Sequence, residues 1–264
     1  MTSYLNRVGI MQGRICQDNL NLLNPYPAKP LSEFKIAKKY KLSHIELITE
    51  ESYNKENYIW SDEKIKLLNN EFIKNNQKKL FFIDNFSIKN PLCENHDYYQ
   101  KLLNQLSKLK VKNFTLPLYG KSMGIFNLKF IKALYNISDL CSQLNINFLI
   151  ETNISFKKYK ILKKKLETKN LGIVFDVGNR SLENKFCYNE IKEFNKEIKH
   201  IHLKDRNISG KNVLLGSGIV KFDQILNSIR SIGYKKYFTL ETNRYSKPIL
   251  SLEKNLNFLG NLFK

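Results

Sequence analysis

A single (β/α)₈ barrel, one domain over residues 1–264, is the fold the sequence predicts. Three observations lead there. Eight short apolar runs alternate with helix-like stretches, and the chain has the length at which such barrels commonly close as one unit. Acidic and imidazole side chains also stand at the carboxyl ends of the last four runs, the end of a barrel where chemistry is placed.

The strand candidates are 8–13, 44–49, 80–85, 113–118, 147–152, 172–176, 200–205 and 237–242. Most are β-branched, aromatic or leucine-rich, as parallel strands buried on both faces are. Apolar residues at helical spacing fill the intervals. Ile65, Leu68, Phe72 and Ile73 mark one face, Leu102, Leu103, Leu106 and Leu109 a second, and Leu128, Ile131, Leu134, Tyr135 and Leu144 a third. Ser61 or Asp62 is placed to cap the helix carrying Ile65, with Glu63 in its first turn. Strand–helix alternation with long crossovers indicates a parallel sheet, and eight units indicate closure. Segment 15–31 carries Pro25, Pro27 and Pro30 and is expected to loop over the barrel mouth. A second long connection, 206–222, follows the seventh strand and carries Gly210, Gly216 and Gly218.

Composition narrows the function classes. With 42% hydrophobic residues the chain has material for a large core. It has no run of eighteen apolar residues, so no membrane span is expected. Residues 1–13 read as a first strand, not a signal peptide. Cys16, Cys93, Cys141 and Cys187 are scattered, which argues against a zinc cluster or disulfide framework and for a cytoplasmic protein. The net charge of +20 invites a nucleic-acid reading. Nearly all of it is lysine, however, accompanied by an excess of Asn and Ile that looks like coding bias spread over helix surfaces. Patch geometry, not total charge, decides nucleic-acid binding, and none is expected. Arginine is scarce by contrast: Arg7, Arg14, Arg180, Arg206, Arg230 and Arg244. A guanidinium kept where lysine would supply charge suggests planar, bidentate bonding.

The strand ends supply the candidate site. The fifth run ends in Glu151, the sixth in Asp176 followed by Asn179, the seventh offers His200, His202 and Asp205, and the eighth ends in Glu241. Strand side chains alternate faces. With Phe148, Ile150, Phe175, Ile201, Leu203, Phe238 and Leu240 under helices, Glu151, Asp176, His202 and Glu241 point to the barrel axis. Three carboxylates and an imidazole so gathered repel without a cation, and suit one divalent ion such as Mn²⁺, Mg²⁺, Co²⁺ or Zn²⁺. His200 lies deeper and reads as a packed core histidine, and Asp205 as a cap on the following loop. Arg14, Arg180, Arg206 and Arg244 each follow a strand on the same face, an arrangement suited to a phosphate or carboxylate on a substrate. The Leu215-Gly216-Ser217-Gly218 turn is either a backbone N–H cradle for that anion or a plain turn.

These residues carry a resemblance. Gly9-Ile-Met-Gln-Gly-Arg14, Phe175-Asp-Val-Gly-Asn179, His200-Ile-His-Leu-Lys-Asp-Arg206 with Leu215-Gly-Ser-Gly218, and Phe238-Thr-Leu-Glu-Thr-Asn-Arg244 make the chain similar to the sugar phosphate isomerase/epimerases of the xylose-isomerase-like barrel superfamily. The resemblance implies Glu151, Asp176, His202 and Glu241 as metal ligands, with Glu151 and Glu241 doubling as an acid/base pair. It implies a small-molecule sugar or sugar phosphate as partner, bound by Arg14, Asn179, Arg206 and Arg244. The chemistry is coherent: removing a proton beside a carbonyl needs a base, and the resulting enediolate needs positive charge on its oxygens. Proton return to the opposite face gives epimerisation, and return to the neighbouring carbon gives aldose–ketose isomerisation. Many ketose epimerases carry histidine where Asn179 stands here, a departure that bears on substrate and reaction.

Three alternatives compete. A polyol dehydratase would use the same metal and bases. An endonuclease of the abasic-site branch needs a three-zinc centre rich in histidine, and this chain has only His44, His96, His200 and His202. A non-catalytic sugar-binding relic has no use for both glutamates. Self-association into a homo-oligomer is left open by the sequence.

Overall fold

Alternation of side chains along the apolar runs sets the architecture, because each run must bury one face under helices and the other inside a closed sheet. The computed structural model describes residues 4–16, 26–119 and 127–264. Its strands are β1 (Val8–Met11), β2 (Ile45–Thr49), β3 (Phe81–Asp84), β4 (Asn113–Pro117), β5 (Asn147–Glu151), β6 (Leu171–Asp176), β7 (Ile198–Leu203) and, as the eighth stave, β10 (Phe238–Leu240). They close into a parallel barrel in the order β1-β10-β7-β6-β5-β4-β3-β2. Two short strands, β8 (Asp205–Arg206) and β9 (Asn212–Val213), form a separate antiparallel pair beyond β7. Six of the barrel strands are shorter than the runs that predict them, β6 starts one residue earlier than its run, and β7 lies two residues earlier than 200–205.

The helices are α1 (Ser32–Lys39), α2 (Asp62–Lys74), α3 (His96–Leu109), α4 (Leu128–Gln143), α5 (Phe156–Lys165), α6 (Val177–Glu183), α7 (Tyr188–Phe194), α8 (Phe222–Ser231) and α9 (Pro248–Leu262). Ser61 caps α2, its side chain accepting from the backbone N–H of Lys64. In α3 all four expected leucines are buried. Two other faces differ from expectation. Ile73 is 74% exposed, and in α4 Leu128 and Tyr135 face outward while Leu134, Ile137 and Cys141 form the buried stripe. Ile73 lies beside the buried stripe of Ile65, Leu68 and Phe72 and not on it, and Leu128 is the first residue of its helix. The loop expected over the mouth from 15–31 falls largely on 17–25, outside the described residues.

Inside and outside separate as the alternation requires. Phe148, Ile150, Phe175, Ile201, Leu203, Phe238 and Leu240 belong to the main core between sheet and helices. Met11, Ile48 and Ile83 form one small cluster and Phe81, Leu149 and Val174 another, both within the barrel. In β7 a bulge intervenes. Ile173 pairs with Ile198 and Val174 with His200, so Lys199 is an extra residue. It lets Ile198 face out while His200 and His202 both face in, the re-aiming that bulges provide.

The lower interior is polar and fully buried. His44 Nδ1 lies 2.8 Å from Ser43 Oγ, and its Nε2 lies 2.9 Å from Thr239 Oγ1. Gly9 makes room for this ring, since a Cβ there would sit 2.4 Å from His44 atoms. Burial pushes the His44 imidazole down to about 3 from its ordinary 6.5. The native state therefore holds it neutral, while the unfolded chain takes up a proton below about 6.5. Its contribution is complete above that pH and lost as pH falls toward 3. The stability gap between wild type and His44→Phe is expected to narrow by about 2 kcal/mol from about pH 7.5 to about pH 5. Urea melts of both proteins at the two pH values measure it, and a constant gap contradicts a neutral buried His44.

Candidate metal centre

Four consecutive staves bring the candidate ligands together. Glu151 and Asp176 are the last residues of β5 and β6, His202 is the penultimate residue of β7, and Glu241 follows β10 directly. One ligand-type atom from each lies within 4.8 Å of all the others, and all four residues are buried. The strand order places them along an arc as Glu241, His202, Asp176, Glu151, with the two glutamates at its ends. His202 Nδ1 lies 3.1 Å from Glu241 Oε2 and 3.3 Å from Glu151 Oε2.

Hydrogen bonds from neighbouring elements fix each carboxylate by one oxygen. Asp176 also caps α6: its Oδ1 accepts from the backbone N–H of Asn179 at 2.7 Å, which leaves Oδ2 for the centre. Glu151 Oε1 accepts from Tyr119 Oη–H at 2.6 Å and from Asn179 Nδ2–H at 3.1 Å. Glu241 Oε1 lies 2.5 Å from Lys204 Nζ and 3.6 Å from the Arg14 guanidinium. Lys204 Nζ also lies 3.0 Å from Asp176 Oδ2.

The donor set fits a divalent cation. Asp176 Oδ2, His202 Nδ1 and Glu241 Oε2 are buried and make no hydrogen bond. Each is an atom type that ligates a hard or borderline metal. Lys204 offsets part of the charge on Asp176 and Glu241, yet two carboxylate oxygens and an imidazole nitrogen converging on one point without hydrogen bonds suit a bound cation.

Electrostatics divide the carboxylates. Burial pushes Asp176 up to about 6, against the pull of Lys204. Burial also opposes charge on Glu241, but Lys204, His202 and Arg14 together hold it below the ordinary carboxylate range. His202 loses solvation too, yet the Glu46 and Glu151 carboxylates raise it well above its ordinary value. Lys204 is raised likewise by Asp176 and Glu241 despite its burial. Lysine and arginine thus already face the three carboxylates. Carboxylate repulsion alone, the argument available from sequence, does not call for a metal; the ligand atoms without hydrogen bonds are what could hold one.

A sequence model described as "Xylose isomerase-like TIM barrel" matches residues 34–262. The chain belongs to this family. A curated relative, an uncharacterised protein of Methanocaldococcus jannaschii, is 26% identical over 93 residues, a stretch covering 34% of this chain and 32% of that protein. The chain therefore aligns with about a third of that relative's length. Three solved structures are similar over nearly the whole barrel. The xylose isomerase domain protein of Planctomyces limnophilus is 15% identical with a TM-score of 0.75, covering 98% of this chain and 97% of its own. The D-psicose 3-epimerase of Clostridium cellulolyticum H10, solved with D-tagatose, is 13% identical with a TM-score of 0.74, covering 98% and 99%. The IolI protein, solved with a bound zinc atom, is 15% identical with a TM-score of 0.72, again covering 98% and 99%. At these identities the likeness establishes the family fold.

Around the family barrel's mouth, the other expected residues take distinct places. Asn179 joins the centre through Glu151, and Arg206 Nη2–H donates to Asn179 Oδ1 at 2.5 Å while its Nη1–H donates to Gly210 O at 2.6 Å. Arg14 is buried beside Glu241, and Arg244 is buried with Nη1 3.5 Å from Gly13 O. Arg180 departs from expectation. It lies between sheet and helices, its guanidinium over the Phe175 and Phe194 rings, donating to Glu190 and to Thr152 O. The reason is local: Arg180 sits on the outer face of α6, over outward-facing Phe175. His200 is the packed core histidine expected, stacked on Phe81 at 3.6 Å.

The glycine turn also departs from the substrate-cradle reading. Gly216 N–H and Gly218 N–H both donate to Asp205 Oδ2 at 2.9 Å, and the N–H groups of Arg206 and Val220 donate to Oδ1. The anion in the cradle is the protein's own Asp205. Sequence reasoning missed Lys204, Glu46 and Tyr119. Lys204 shares the parity of His200 and His202, and Glu46 interrupts an apolar strand, so both carried a signal. Tyr119 lies past the end of β4 and carried none.

Asp205→Ala is expected to release the 206–220 connection while the barrel stays folded. Hydrogen exchange measures it: the Gly216, Gly218 and Val220 amides should exchange at least about tenfold faster, one charge-assisted hydrogen bond being worth roughly 1.5–3 kcal/mol. Unchanged protection contradicts the anchoring role.

Proposed function

We propose that the chain is a divalent-metal-dependent isomerase or epimerase of a sugar or sugar phosphate, with Glu151 and Glu241 as its proton-transfer pair. The observation that carries this reading is the convergence of Glu151, Asp176, His202 and Glu241 at one buried point, with three ligand atoms lacking hydrogen bonds. Glu151, Asp176, His202 and Glu241 would hold the ion. Bound there, it would supply Lewis-acid charge to the carbonyl and adjacent hydroxyl oxygens of a ketose. Structural neighbours support the substrate class, since they include D-psicose and D-allulose 3-epimerases.

The residues of this chain divide the remaining work. The two glutamates stand at opposite ends of the ligand arc, so a substrate held between them presents one face of its reacting carbon to each. One carboxylate takes the C–H proton, and the other delivers a proton to the opposite face. Tyr119 and Asn179 fix Glu151 by donating to Oε1, and Lys204 fixes Glu241. Lys204 and Arg14 add fixed positive charge beside the position where negative charge develops. Asn179 bridges Glu151 and Arg206, a position from which it can bond a substrate hydroxyl but not shuttle a proton. Arg206, half-exposed at the mouth, is the guanidinium best placed for an anionic substrate, with Arg14 and Arg244 buried behind it.

Two measurements test the reading. Wild type incubated with ketoses and their phosphates in deuterated water is expected to exchange the hydrogen beside the carbonyl. Glu151→Gln and Glu241→Gln should each lower the rate by about 10²–10⁴-fold. No exchange with any ketose, after loading with Mn²⁺, Co²⁺, Mg²⁺ or Zn²⁺, contradicts it, and loss of one water from the product marks a dehydratase instead. Phosphorylated ketoses should be the better substrates, and Arg206→Ala should raise KM for them most. Equal turnover of neutral ketoses removes the anionic half of the proposal.

A further inference from the structure

Beneath the centre, β2 contributes a carboxylate that the proton-transfer scheme leaves unused. Glu46 points into the barrel between outward-facing Ile45 and Leu47, and it is wholly buried. Its Oε2 lies 3.1 Å from His202 Nε2 and 3.1 Å from His200 Nε2. Its strand is separated from β7 by β1 and β10, so this contact crosses the barrel interior.

We infer that Glu46 is a positioning residue, its carboxylate accepting the Nε2–H of His202 and so turning a lone pair on Nδ1 toward Glu151, Asp176 and Glu241. The inference rests on the metal reading above. The geometry leaves little choice of tautomer. An ionised carboxylate only accepts, so the nitrogen facing Glu46 carries the hydrogen, and a neutral ring then has its lone pair on Nδ1. That nitrogen makes no hydrogen bond and faces the Oε2 atoms of two glutamates, where only a positive species satisfies it. A carboxylate behind a ligating imidazole fixes ring orientation and raises the basicity of the ligating nitrogen.

His44, Glu46 and His200 are also close enough to hold an ion of their own. Their hydrogen bonds oppose that use. Both His44 nitrogens are engaged, by Ser43 and Thr239, and His200 faces Thr239 Oγ1 at 2.8 Å through Nε2 and Tyr237 O at 3.2 Å through Nδ1. Neither ring has a nitrogen left over, whereas His202 Nδ1 makes no hydrogen bond and can give up its proton to an incoming cation.

Metal titration of the stripped full-length chain tests the assignment, using Co²⁺ alone and reading both affinity and visible absorption. The wild type is expected to bind one ion per chain. Glu46→Gln is expected to bind one about 10–100-fold more weakly, with shifted absorption bands, in a metal-free protein that stays folded. Thr239→Val, which removes a hydroxyl that faces His44 Nε2 and His200 Nε2 and makes no hydrogen bond to His202, should keep wild-type affinity and bands. If Glu46→Gln does not fold, Glu46→Asp, whose carboxylate is drawn back by one methylene, should show the same weakening. One ion bound equally well by wild type and the Glu46 variant overturns the positioning role alone. Two ions in wild type, one of them lost on Glu46→Gln with the other unaffected, makes Glu46 a ligand of a second site and overturns it too. No ion in wild type overturns both this role and the metal reading beneath it.

Discussion

Everything at the mouth of this barrel depends on gathering three carboxylates in a space from which water is largely excluded. Burial alone would drive protons back onto Asp176 and Glu241, and Asp176 shows that tendency. Lys204, Arg14 and His202 oppose it, and they come from strand ends or the turns just beyond them. The sheet closure that brings four staves to one point is therefore inseparable from the cations that make the point habitable. Breaking one partner of such a buried set leaves an uncompensated charge, far costlier than losing a surface ion pair. The arrangement also leaves each carboxylate one oxygen tied to protein donors and another turned inward. A site built this way is oriented before any ligand arrives, which is what metal binding and proton transfer both need.

The loops serve the same centre indirectly. Asp205 gathers four backbone N–H groups from its own connection, folding 206–220 back on the barrel and holding Arg206 at the mouth. Arg206 in turn holds Asn179, which holds Glu151. A chain of hydrogen bonds thus links the glycine turn after the seventh stave to a glutamate on the fifth. Gly178 belongs to this fit, because a Cβ there would meet the Lys204 side chain and carbonyl at 2.9 Å.

The fold was legible because strand parity and helix spacing are local properties, and all eight staves overlap the apolar runs. Glu151, Asp176, His202 and Glu241 were legible for the same reason: period two sends Phe148 and Glu151, or Phe175 and Asp176, to opposite faces. The edges of the buried stripes were harder to read: Ile73 is exposed beside buried Phe72, and Leu128 is exposed at the first position of its helix. Arg180 misled because following a strand does not decide which side of the barrel wall a helix residue takes. The turn at Gly216 and Gly218 misled because its anion comes from Asp205, eleven and thirteen residues away. Tyr119 meets Glu151 only through the closed barrel, and no pattern in its own neighbourhood announces that contact. Lys204 and Glu46 stood in plain view as charges at inward positions. Charge inside an apolar strand is the signal to weigh more heavily.

Anomalous diffraction from crystals grown with Mn²⁺, recorded at the manganese edge, decides whether these four strand ends form one metal centre. A single peak is expected, bounded by Glu151, Asp176, His202 Nδ1 and Glu241, with Lys204 and Arg14 outside the coordination shell. A peak among His44, Glu46 and His200, or none inside the barrel, would contradict it.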